Sequence, residues 1–111
     1  MVYTNPATLY GLKIGNYQKG ITVIFLLQEE IDNFERFSEW FNTEAVPKIE
    51  AAGGRVLVQG VELDNENMLH LVMEAPDQET VGAFMADEEF TAERIAAGVH
   101  VETTQVTFLQ S

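Results

Sequence analysis

The sequence predicts an α+β domain in which an antiparallel sheet carries helices on a single face. Three observations predict it. Residues 21–28 are apolar on both faces and lead into a long run of apolar residues at helical spacing. A double glycine, Gly53-Gly54, ends that run and opens another apolar strand. A second set of strand, helix and strand signals then follows between residues 68 and 109. Strand–helix–strand followed by strand–helix–strand is the split βαβ, ferredoxin-like arrangement, here with a four-stranded sheet.

Residues 1–20 are expected to form an N-terminal arm or short strand, and residues 21–111 the domain. Asn5-Pro6, Gly11, Gly15, Asn16 and Gly20 punctuate the arm too often for a long element, leaving 9–14 as its one candidate strand. In the first core strand, Ile21, Val23, Phe25 and Leu27 share one face, and Thr22, Ile24, Leu26 and Gln28 the other. A helix is expected from residue 31 to about residue 52, with apolar positions at Ile31, Phe34, Phe37, Phe41, Ala45, Ile49 and Ala52. Glu29, Glu30 and Asp32 are placed near its first turn, where the helix dipole favours negative charge. Pro47 lacks an N–H and crowds the carbonyl of Thr43, which predicts a kink or break near residues 42–43. Gly53 supplies the left-handed residue that ends the helix.

Residues 55–63 read as the second strand, Asp64-Asn65-Glu66-Asn67 as a turn, and residues 68–74 as a third strand antiparallel to the second. Pro76-Asp77 opens another helix, with Asp77 as its cap and Glu79 in its first turn. Asp87 recaps a further helical segment that ends at Gly98. The last strand lies within 99–109, most clearly over 104–109.

A chain of 111 residues suits one domain. Apolar residues make up 46% of it, too many for intrinsic disorder. The absence of cysteine removes disulfides, thiolate metal sites and cysteine nucleophiles together. A formal charge of −12 argues against nucleic acid and anionic membranes as partners. The first residues lack the basic region and apolar run of a signal peptide. The longest apolar run falls far short of the ~20 residues that span a bilayer. A cytoplasmic location is the expectation. With helices on one face only, the other face of the sheet is still too apolar for water, its candidates being Ile24, Leu26, Val58, Val72 and Phe108. Packing sheet against sheet in a homodimer is the simplest solution.

The run Glu44-Ala45-Val46-Pro47-Lys48-Ile49-Glu50-Ala51-Ala52-Gly53-Gly54-Arg55-Val56-Leu57-Val58-Gln59-Gly60 resembles a family of small uncharacterised bacterial proteins of the dimeric α+β barrel superfamily. That family has an alanine-proline helix leading through a glycine-glycine-arginine turn into a strand that ends in glycine. Leu71-Val72-Met73-Glu74-Ala75-Pro76-Asp77 is similar to its third strand and turn, and Ala83-Phe84-Met85-Ala86-Asp87-Glu88-Glu89-Phe90 to its helix break. The resemblance covers about residues 21–110. Val61 stands where the family has a second glycine, and Arg94 is the counterpart of its late arginine. What the resemblance implies is a dimeric barrel of two four-stranded sheets, and no particular reaction. The wider superfamily holds cofactor-free monooxygenases, haem-handling enzymes, isomerases and ligand-sensing domains, so fold analogy does not choose among them.

Among chemistry-bearing residues, His70 lies on the third strand between Leu69 and Leu71, sharing a face with Met68, Val72 and Glu74. It reads either as an acid–base or ligand-orienting group, the one candidate catalytic residue, or as a histidine satisfied by a neighbouring carboxylate. Arg55 follows the double glycine and reads either as a clamp for a ligand carboxylate or as an ion pair with Glu50 or a partner's acid. Trp40, with Phe37, Phe41, Phe34 and Tyr10, reads as the lining of an apolar pocket or as plain core. His100 near Glu102 reads as a surface histidine. No spacing supports a metal site, no serine stands in a nucleophile context, and no motif requires a cofactor. Gly53-Gly54 runs from helix to strand, opposite to a phosphate-binding loop.

The functional expectation is a dimeric barrel that binds a small hydrophobic ligand, such as a fatty-acyl or aromatic carboxylic acid. Arg55 or His70 would be the anchor, and Trp40, Phe37 and Tyr10 the walls. The alternatives are a cofactor-free monooxygenase or isomerase in which His70 moves a proton, and an interaction domain without a ligand.

Overall fold

A computed structural model describes residues 22–110; the expected arm, Tyr10 included, lies outside them. The elements are β1 (Val23–Ile31), α1 (Phe34–Trp40), a π-helical turn (Phe41–Ala45), α2 (Val46–Ala51), β2 (Arg55–Glu62), β3 (Asn65–Ala75), α3 (Gln78–Ala86), α4 (Glu88–Ala96) and β4 (Val99–Leu109). The sheet order is β2-β3-β1-β4, with every neighbouring pair antiparallel. This is the ferredoxin-like topology expected from the order of elements.

Alternation along the strands separates the sheet into two faces. On β1, Phe25, Leu27, Glu29 and Ile31 are buried, and on β3 so are Leu69, Leu71, Met73 and Ala75. These side chains meet Phe37, Phe41, Ala45, Val81 and Phe90 from the helices to form the core. Ile24, Leu26, Val58 and Val72 occupy the opposite face, which no helix covers. Phe108 does not join them. It pairs with Phe25 in register, and the two rings lie 5.7 Å apart on the covered side. Its alternation parity is set by a register shift between β1 and β4 that the sequence does not display.

The helices start and stop where local chemistry directs. Asp77 Oδ1 accepts from the backbone N–H of Thr80 at 2.7 Å, and Asp87 Oδ1 from that of Phe90 at 2.8 Å, so both predicted caps form. Pro47 sits in the first turn of α2, and the crowding expected over residues 42–43 is resolved by the π-helical turn just before it. The Val46 N–H reaches back to the Phe41 carbonyl, so that the turn takes up one extra residue. Gly53, at φ +92°, closes the helix.

Two boundaries differ from expectation. β1 continues through Glu29 and Glu30 to Ile31, because β3 and β4 flank it and pair with it along that length. The helix therefore begins at Phe34, behind Asn33, whose Oδ1 accepts from the Arg36 N–H at 2.8 Å. β3 likewise begins at Asn65, leaving Leu63-Asp64 as the turn. Asn67 Nδ2 donates to the carbonyls of Ile31 at 2.9 Å and Asp32 at 3.1 Å, tying β3 to the end of β1.

Candidate functional site

An apolar cavity of about 60 Å³ lies between the covered face of the sheet and the helices. Phe25, Leu27, Leu71 and Met73 form the sheet wall, Phe41 and Ile49 one flank, and Val81, Phe84 and Met85 of α3 the other. The π-helical turn positions this flank, since both of its buried residues, Phe41 and Ala45, face inward. Gly54 completes the wall where a larger residue would not fit: a Cβ there would stand 2.9 Å from Ile49 Cγ2 and 3.0 Å from the Glu74 carbonyl. The close approach of helix end and strand therefore explains the second glycine, as the left-handed backbone explains the first.

Arg94 is the cationic residue in the cavity wall. It is 6% exposed, and Glu29, its partner from β1, is 2% exposed. Arg94 Nη2 donates to Glu29 Oε1 at 2.7 Å and to Thr104 Oγ1 at 2.7 Å, and Thr104 donates to the same Glu29 oxygen at 2.8 Å. Three elements, β1, α4 and β4, thus converge on one polar knot inside the apolar core. Each member satisfies another, which is the condition for burying charge at all.

The residues singled out from sequence are divided between the two faces. Phe37 is buried in the core and makes an edge-to-face contact with Trp40 at 5.8 Å; Trp40 also lies 5.9 Å from Phe90, which lines the cavity. Arg55 and His70 lie on the bare face. Arg55 pairs with Glu74 at 3.2 Å rather than Glu50, and His70 Nε2 with Glu62 at 2.7 Å. A sheet thus separates His70 and Arg55 from Trp40 and Phe37. Arg94, Glu29 and Thr104 carry no site signature in the sequence that brings them together. The signal for Glu29 was present, because it is the one carboxylate on the stripe Phe25-Leu27-Glu29-Ile31.

The bare face has its own order. In register across β2, β3, β1 and β4 run the rows Arg55–Glu74–Ile24–Leu109, Val58–Val72–Leu26–Thr107 and Gly60–His70–Gln28–Gln105. The middle row is apolar at its centre, the first is charged on the β2–β3 side and apolar on the β1–β4 side, and the third is polar. Nearer the end of β1, His100 Nε2 lies 2.6 Å from Asp32 Oδ1, and its Nδ1 lies 3.6 Å from Glu30. The hydrogen bond to Asp32, with the further negative charges of Glu102 and Glu30, raises the His100 pKa above the ordinary histidine value. Among the described residues no cluster of three or more His, Asp or Glu side chains is arranged to hold a metal ion. No helix among them is long and apolar enough to cross a membrane.

Comparison with known proteins yields matches in structure alone: no family model and no curated sequence matches. A protein of Nitrosomonas europaea described as a candidate antibiotic biosynthesis monooxygenase superposes with a TM-score of 0.61 at 13% identity, covering 86% of this chain and 95% of the other. An uncharacterised NIPSNAP-like domain protein from Burkholderia xenovorans gives 0.60 at 13% identity, over 82% and 85% of the two chains. A variant of SnoaB, a cofactor-independent oxygenase from Streptomyces nogalater, gives 0.56 at 14% identity, over 83% and 94%. The chain therefore has the ferredoxin-like α+β fold that these monooxygenase-type and NIPSNAP-type proteins share.

Proposed function

We propose that the chain is a homodimeric binding module, joined sheet to sheet, whose helix–sheet cavity takes a small apolar ligand. The observation that supports it is the cavity itself, an almost wholly apolar space walled by the sheet, the π-helical turn and α3. Its size limits the ligand. At about 60 Å³ it is smaller than the roughly 150 Å³ apolar cavity that binds benzene in an engineered protein. A few carbon atoms, or the end of a longer chain, fill it as it stands; anything larger requires α3 to move. In this reading Phe37 and Trp40 back the cavity, and Arg55 and His70 belong to the joint between subunits. The joint is supported by the uncovered rows of Ile24, Leu26, Val58, Val72 and Leu109. A titration of short alkyl and aromatic compounds, followed by thermal unfolding and native mass spectrometry, tests the reading. A binder present at a hundred times its Kd adds about 2.7 kcal/mol of stability. Failure of every compound to bind or to raise the melting temperature overturns it. In the same preparation, sedimentation gives a dimer, and Leu26→Asp on the bare face gives a monomer.

A second reading is favoured by the structural neighbours described as monooxygenases and as a cofactor-independent oxygenase. In it an apolar aromatic substrate that itself supplies the electrons to dioxygen is held against the bare face, between two sheets, because the helix–sheet cavity is too small for it. His70 acts in this scheme only on a molecule held between two sheets, since it faces away from the cavity. Oxygen uptake with phenolic substrates tests this reading, and uptake unchanged by His70→Ala removes His70 from it.

A further inference from the structure

We propose that the cavity is the closed end of a channel along the seam between α2 and α3, and that its ligand is an unbranched alkyl chain that enters end-on and leaves its polar head outside. This rests on the cavity being the ligand site. Two observations carry it. The first is a gradient of burial along the lining. Phe25, Leu71 and Met73, from the middle of the sheet, are buried and form the floor. Ile49 and Ala52 at the end of α2, and Pro76 and Thr80 at the start of α3, line the same space; Ala52 is exposed and the other three are half-buried. The apolar space therefore reaches the surface between these two helix ends. At about 60 Å³ it takes only a few carbon atoms, so a longer apolar molecule fits only with its remaining length laid through that mouth. A single methylene chain does so, and a ring of equal carbon number does not. The almost wholly apolar lining offers a polar head little to bond, and the mouth lets that head stay in water.

The second observation is the unequal anchoring of the two walls. The end of α2 is tied on two sides: Lys48 pairs with Glu93 of α4 at 2.9 Å, and the Gly54 N–H donates to the Ile49 carbonyl at 2.8 Å. By contrast, α3 buries only Val81, and the residue at each of its ends, Asp77 and Asp87, is extended. Each of these carboxylates caps the helix that follows it, Asp77 the first turn of α3 and Asp87 the first turn of α4. Rotation at the two breaks therefore moves α3 as a unit with both caps intact. The mouth widens on the α3 side.

Straight-chain alcohols from 1-butanol to 1-octanol, with cyclooctanol as the compact comparison, test this by titration into the intact chain. Binding is followed by NMR through the methyl groups of Val81 and Met85, which line the cavity. Affinity is expected to rise about fourfold for each added methylene that is buried, and 1-octanol to bind about tenfold tighter than cyclooctanol or better. Two variants locate the mouth. Ala52→Trp fills it and is expected to lower the ratio of octanol to butanol affinity about tenfold. Ala51→Trp, exposed but outside the lining, is expected to leave that ratio as in the parent. Affinity that stops rising beyond butanol overturns the proposal. So does cyclooctanol binding as tightly as 1-octanol, or a ratio that Ala52→Trp lowers no more than Ala51→Trp does. In each of these cases butanol still reports an occupied cavity, and the underlying reading stands. If no alcohol shifts the cavity methyls, the cavity is not a ligand site and both fail together.

Discussion

Glu29 and Glu30 are adjacent on one strand and belong to different electrostatic worlds. Glu29 points to the covered face, is 2% exposed, and is locked to Arg94 and Thr104. Glu30 points to the bare face, is about half exposed, and lies 3.6 Å from His100. The pairs on the bare face are all of the second kind: Arg55–Glu74, His70–Glu62 and His100–Asp32 each have a partner in ready contact with water. The same chemical groups, one residue out of step, shift from the high-stakes interior to the screened surface. The lesson is that distance alone says little about the energetic weight of an ion pair here, since 2.7 Å separates both Arg94–Glu29 and His70–Glu62.

The sharpest way to break the comparison is to remove one partner from each kind of pair. Glu29→Ala leaves a buried guanidinium uncompensated and is expected to cost about 3–5 kcal/mol in urea unfolding. Arg55→Ala on the bare face, where the side chain is 65% exposed, is expected to cost about 0–1 kcal/mol. Equal costs would end the distinction.

A smaller effect separates two parts of the covered face. The helical stretch from α1 to α2 buries Phe37, Phe41 and Ala45, whereas α3 buries only Val81 and carries Gly82 in its interior. A Cβ at Gly82 would meet nothing within 4 Å. Gly82→Ala is therefore expected to stabilise the protein by about 0.5–1 kcal/mol and to slow amide exchange in α3, without altering the core. No change in exchange would mean that α3 is already as firm as its neighbours.

The least of the three is a pH effect confined to the bare face. Because the folded state raises the pKa of His100, its contribution is complete below the unfolded value of 6.5 and is lost as pH rises through the folded pKa. Thermal stability is expected to fall over that interval, and His100→Gln to flatten the profile there. A parent profile already flat above pH 6.5 would contradict the assignment.

Much of this architecture was legible in the chain. Period-two and period-3.6 apolar spacing located the elements, Asp77 and Asp87 declared their caps, and Pro47 declared a disturbance ahead of it. The order of elements then left the ferredoxin-like topology, in which the structural neighbours agree. The site was less legible. Local dipole arguments favour Glu29 near a helix start, but pairing with a strand far along the chain keeps it extended. Among the candidates for the bare face Phe108 is the exception, because alternation along β4 is broken by the β1–β4 register shift.

Local physics, acting through side-chain spacing, caps and backbone restrictions, is written residue by residue, and so the sequence by itself determined the order of strands and helices along the described chain and where the helices are capped. The meeting of Glu29 with Arg94, 65 residues away, and the division of Trp40 from His70 by a sheet were decided only by the tertiary structure. Burial and register arise from contacts between distant segments, and these turn a charged residue from a solvated group into one half of a buried ion pair.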